Sequence, residues 1–139
     1  MRLPQSPMPL VPAAFLPLPV PARDPGARLL LMAVRLWAVH RRAGRSARAP
    51  LERLLGFGAP PLLTLLEAWA ALMPSWPAAY PCCAQEVSHD EALLLDLVHA
   101  AALGDSLRAE ELLADLLPEP HRARLFELAG RAAPLLPSG

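Results

Sequence analysis

The chain has 139 residues, 54% of them apolar and 19% charged, which suits one domain with a hydrophobic core and is too apolar for disorder throughout. Two cysteines exclude a disulfide scaffold, and no glycine repeat of the collagen kind is present. Thirteen basic residues, all of them Arg, balance thirteen acids, so no global field draws the protein onto nucleic acid or a membrane.

Residues 1–22 read as a disordered proline-rich arm of polyproline-II character. Pro4, Pro7, Pro9, Pro12, Pro17, Pro19 and Pro21 interrupt every helical turn that could form there. That spacing excludes the unbroken apolar run of a signal peptide. No stretch reaches the roughly 18 uncharged apolar residues of a membrane-spanning helix. The nearest, Leu29 to Val39, is interrupted by Arg35. The protein is therefore expected in the cytoplasm. Pro4-x-x-Pro7 and Pro9-x-x-Pro12 match the ligand pattern of proline-reading domains, a spacing that arises by chance in so proline-dense a segment.

Asp24 is a good helix cap and Pro25 suits the first helical position, so a helix is predicted over 25–42, stopping near Gly44. Arg28, Arg35 and Arg42 recur every seven residues and form one stripe on an otherwise apolar helix. Such a helix belongs at the centre of a core or at an oligomer contact. Arg41, Arg42, Arg45, Arg48 and Arg53 then cluster through a loop into a short helix over about 50–55, ended by Gly56 and Gly58 around Phe57. Pro60 and Pro61 open a second apolar helix over 61–73, closed by Pro74. The longest internal loop, 74–87, carries Trp76, Tyr80, Cys82 and Cys83.

Ser88-x-x-Glu91 is a capping box that launches a helix to about Leu103, stopped by Gly104. Asp105 or Ser106 caps the next, 106–117, with Leu107, Leu112, Leu113, Leu116 and Leu117 turned inward. Pro120 begins the last, 120–132, where Arg124, Glu127 and Arg131 are spaced to pair along the helix surface. No run alternates with period two, so no sheet is expected. The prediction is an all-α, compact bundle of about five to six helices spanning 23–137, its centre formed by the two apolar helices.

The neutral total hides a split. Residues 1–66 hold nine Arg against two acids, net +7, and residues 67–139 hold four Arg against eleven acids, net −7. In so short a chain the halves are expected to attract each other within one fold. The arginine cluster lacks interleaved aromatics and any DNA-reading motif, so it gives no clear sign of nucleic-acid binding. Its all-Arg composition fits a G/C-rich coding sequence.

Chemistry has one candidate place. Cys82 and Cys83 are adjacent thiols, and His89 follows within loop reach, with Asp90 or His99 able to complete a metal set. The spacing matches none of the usual zinc patterns. The same thiols lie close to the helix start at Ser88, where the dipole favours a thiolate. A Cys83, His99, Asp96 arrangement can be drawn, but Asp96 and His99 fit better as an exposed surface pair. His40 and His121 are expected at the surface near helix ends. No phosphate-cradling glycine loop and no hydrolase or metalloprotease motif is present, so an enzymatic reading has no positive support.

One ordered series of motifs is informative as a set. Asp24-Pro25-x-Ala27-Arg28-Leu29-Leu30-Leu31 is followed by Leu55-Gly56-Phe57, Pro60-Pro61-Leu62, Pro81-Cys82-Cys83 and Ser88-x-Asp90-Glu91-Ala92-x-Leu94-Leu95. This order resembles a family of small bacterial all-helical proteins, a domain of unknown function, over roughly residues 23–103. The resemblance implies an all-α fold and no activity, cofactor or catalytic residue. The expectation is a non-enzymatic structural or protein-interaction domain, with a homodimer through the first helix or another protein as partner. The alternative is a thiol- or metal-binding module, zinc or redox-sensing, centred on Cys82, Cys83 and His89.

Overall fold

The structure, a computed structural model, describes residues 18–19, 25–73 and 86–135. Among the described residues six α-helices carry the fold: α1 (Pro25–Arg42), α2 (Arg48–Leu55), α3 (Ala59–Leu72), α4 (His89–Ala102), α5 (Ser106–Leu113) and α6 (Glu119–Ala132). The all-α expectation holds. Extended pairing among the described residues is confined to one two-residue antiparallel pair, β1 (Leu18–Pro19) with β2 (Glu86–Val87), Leu18 opposite Val87. Most of the expected arm, 1–22, lies outside the described residues. Leu18 and Pro19 are the exception, and they are strand rather than disordered chain. Proline donates no amide, so Pro19 is tolerated only on an edge of this kind.

Local signals set the helix ends. α1 and α4 stop in the same way: Gly44 and Gly104 take φ of 72° and 69°, which glycine adopts without a Cβ clash. In each case the residue after the glycine donates back five positions, Arg45 N–H to the His40 carbonyl and Asp105 N–H to the Ala100 carbonyl, both at 2.8 Å. Asp105 accepts the Arg108 amide at 3.0 Å and caps α5. α2 and α3 are joined by the 3-10 turn Gly56–Gly58 and lie against each other. By length and average composition Arg48–Leu72 comes nearest to a membrane span. It is two helices, however, and Leu51, Leu62, Leu65, Leu66 and Trp69 are buried in the core, so no clear spanning segment exists among the described residues.

The core gathers Leu30, Val34 and Trp37 from α1, Leu62, Leu66 and Trp69 from α3, and Leu94 and Leu97 from α4. The apolar helices α1 and α3 do bury their expected faces, but the broadest backbone packing belongs to α6, set against α3 and α4. The buried face of α6 alternates Leu125 and Leu128 with Ala129 and Ala132. Small side chains let neighbouring helix backbones approach closely, which a helix lined with leucine alone would prevent.

α5 corrects the sequence reading. It ends at Leu113 rather than 117: the Leu116 N–H tightens onto the Leu113 carbonyl three residues back at 3.0 Å, and Pro118 disfavours helical backbone at Leu117. Ala109, Leu113 and Leu117 are buried, whereas Leu107 and Leu116 face solvent. Two helical turns present only one short stripe to the core, and Leu107, in the first turn, falls outside it. Leu113→Ala is expected to cost about 2–5 kcal/mol as a fully buried truncation. Leu107→Ala should change stability by no more than about 0.5 kcal/mol. Urea unfolding of both variants checks this; equal losses would restore Leu107 to the core.

Candidate functional site

The most heavily constrained polar cluster joins α1 to the start of α4. Ser88 is extended (φ −72°, ψ 165°), and its Oγ accepts the Glu91 amide at 3.1 Å. Glu91 Oε1 accepts the Ser88 amide at 2.9 Å, completing the box. The same carboxylate receives Arg35 of α1: Nε donates to Oε2 at 2.9 Å and Nη2 to Oε1 at 3.1 Å. Arg35 and Glu91 are 3% and 2% exposed. A planar guanidinium matches a carboxylate through two parallel bonds, which is how a charge pair survives away from water. Arg28, Arg35 and Arg42 do share one stripe of α1, but their surroundings differ. Arg28 and Arg42 are exposed, while Arg35 is turned into the protein.

A second cluster joins α1 to α3. Trp37 Nε1 donates to Glu67 Oε2 at 3.1 Å, and Arg41 Nη1 donates to Glu67 Oε1. The Arg41 guanidinium also lies 5.7 Å from the centre of the Trp37 ring, within cation–π range. This cluster is one wall of a cleft of about 360 Å³, bounded on the other side by Arg45, Ser46 and Arg48. Arg35–Glu91 and Arg41–Glu67 each join the basic half of the chain to the acidic half, which is the attraction the charge split predicts. Further ion pairs lie within the second half, among them Arg122–Glu110 at 2.6 Å and the surface pairs Arg124–Glu127 and Arg131–Glu127.

Of the expected metal ligands, Cys82 and Cys83 lie outside the described residues. His89 is the first residue of α4 and is half-buried. Among the described residues no three potential ligands cluster. Asp96 and His99 are both exposed, and Asp96 approaches Arg108 at 4.0 Å. His40 is half-buried, with Nδ1 3.0 Å from the Leu36 carbonyl, and His121 is exposed.

One face of α1 is left partly exposed among the described residues. Met32 and Val39 of α1 are 52% and 44% exposed, and Leu29 and Leu36 between and beside them are half-buried. The spacing 29, 32, 36, 39 places all four on one seam of the helix. No family model, curated protein or solved structure matches this chain.

The sequence singles out neither Arg35 nor Glu67 as a partner in a tertiary pair. The one available signal was the position of Arg35 in the middle of an apolar helix, where an unpaired charge is costly to bury. Arg35→Met or Glu91→Gln alone should cost about 3–5 kcal/mol, since each strands the other charge. Glutamine at position 91 still suits the capping box. The double variant is expected to lose less than the sum of the two by about 0.5–3 kcal/mol. A denaturant-unfolding cycle measures this, and additive losses would show that the two charges do not act as a unit.

Proposed function

We propose that this chain is a non-enzymatic protein-interaction domain whose contact face is the uncovered seam of α1, and that the partner is an acidic amphipathic helix. The observation that carries the reading is the seam itself: Leu29, Met32, Leu36 and Val39 at helix-docking spacing on an otherwise core-forming helix. Charge selects the partner. α1 contains no acid, and of its four Arg the exposed Arg28 and Arg42 lie beside the seam. A second copy docked symmetrically, α1 on α1, would bring arginines together, whereas acidic residues flanking an apolar stripe would meet opposite charge.

A panel of acidic amphipathic peptides, with Leu at every third and fourth position, provides the test by fluorescence anisotropy. Binding is expected, weakened about tenfold or more by Met32→Glu and by Val39→Glu. Basic peptides of the same pattern should not bind. Both substituted side chains are about half exposed, so circular dichroism should match the parent and melting should change little. No binding, or binding indifferent to both substitutions, would overturn the reading. Sedimentation showing a dimer that Met32→Glu disperses would assign the seam to a second copy instead.

A further inference from the structure

The cleft between the end of α1 and the start of α2 carries an excess of positive charge that the α1 seam does not explain. Arg41 points from the opposite side of α1 to Met32, nine residues and about two and a half turns away. Three guanidinium-bearing residues, Arg41, Arg45 and Arg48, line the cleft against one carboxylate, Glu67. Both Glu67 oxygens are occupied, Oε2 by Trp37 and Oε1 by Arg41. That carboxylate is thus committed to the wall and holds Arg41 in place. No ion pair among the described residues engages Arg45 or Arg48. The left-handed turn at Gly44 directs the chain so that Arg45, Ser46 and Arg48 close the other side. Ser46 Oγ accepts the Arg48 amide at 3.2 Å, leaving its own O–H to donate.

We propose that this cleft binds a small phosphate-monoester anion, held by Arg45 and Arg48 with Ser46 as a further donor. Arginine forks match phosphate oxygens in pairs, and the positive end of α2 adds charge of the same sign. The volume, about 360 Å³, exceeds what a bare phosphate fills and leaves room for the organic part of the molecule against Leu63. A nucleic-acid strand fits less well. Trp37 is 1% exposed and offers no face for a base, and the arginines converge on one pocket instead of tracking a backbone.

The test is a titration of the isotope-labelled full chain with inorganic phosphate, glycerol phosphate, sulfate and a single-stranded oligonucleotide, read by amide shifts. Saturable shifts at Gly44 to Arg48 are expected with glycerol phosphate, and weaker ones with inorganic phosphate. Arg45→Gln with Arg48→Gln should weaken glycerol phosphate binding about tenfold or more, as loss of charged hydrogen bonds requires. Melting should be unchanged, because both side chains are exposed. Arg53→Gln, an exposed arginine of α2 outside the cleft, should leave the affinity unaltered. Absence of saturable shifts, equal loss with Arg53→Gln, or sulfate binding as well as the monoester would overturn the proposal. Tight, steeply salt-dependent oligonucleotide binding without monoester binding would also overturn it and assign the arginines to nucleic acid. None of these outcomes bears on whether the α1 seam binds a helix.

Discussion

The Glu91 carboxylate carries two duties that are normally separate. It satisfies the Ser88 amide at the start of α4, a local task for any capping box, and it neutralises Arg35 in the interior. Burying a guanidinium costs several kcal/mol unless its partner is fixed in place. Here the partner is fixed in advance, because the box already orients the carboxylate within the first turn of α4. The pair therefore sets the rotation of α1 about its own axis as well as its position against α4. Turning α1 by one residue would move Arg35 out of reach and carry Trp37 away from Glu67.

That coupling explains how the surface of α1 is divided. With Arg35 directed at α4 and Trp37 at Glu67, Leu30, Ala33, Val34 and Ala38 fall into the core. Met32 and Val39 of the opposite seam are then left outward, with Leu29 and Leu36 half-buried beside them. The basic cleft follows from the same constraint, because Arg41 is held by the carboxylate that receives Trp37. Both surfaces proposed to bind ligands are consequences of one buried charge pair and one indole hydrogen bond.

Charge does different work in the two halves of the chain. In the acidic half it forms short-range pairs along and between α5 and α6; Arg122 also donates to the Leu117 carbonyl at 2.7 Å and stitches the entry to α6. Exposed pairs of this kind contribute little each. The basic half spends Arg35 and Arg41 on pairs that cross the fold, and its other described arginines, Arg28, Arg42, Arg45, Arg48 and Arg53, are exposed. A neutral total thus coexists with a locally basic cleft, a feature that net charge conceals.

The sequence by itself determined the class of fold and the ends of the elements. The stops at Gly44 and Gly104, the Ser88–Glu91 box, the Asp105 cap and the surface pairs of α6 are all legible because each involves groups within about one or two helical turns. Tertiary structure alone decided where Arg35 and Trp37 point, since their partners lie 56 and 30 residues away and depend on which helix faces meet. It also decided that Leu107 faces water and that α6 packs most broadly, because a leucine signals burial only when a neighbouring element covers its side of the helix. The cleft was half legible. Its arginines stand out as a cluster, but their convergence on a pocket arises from the turn at Gly44 and the carboxylate on α3, which no local pattern brings together.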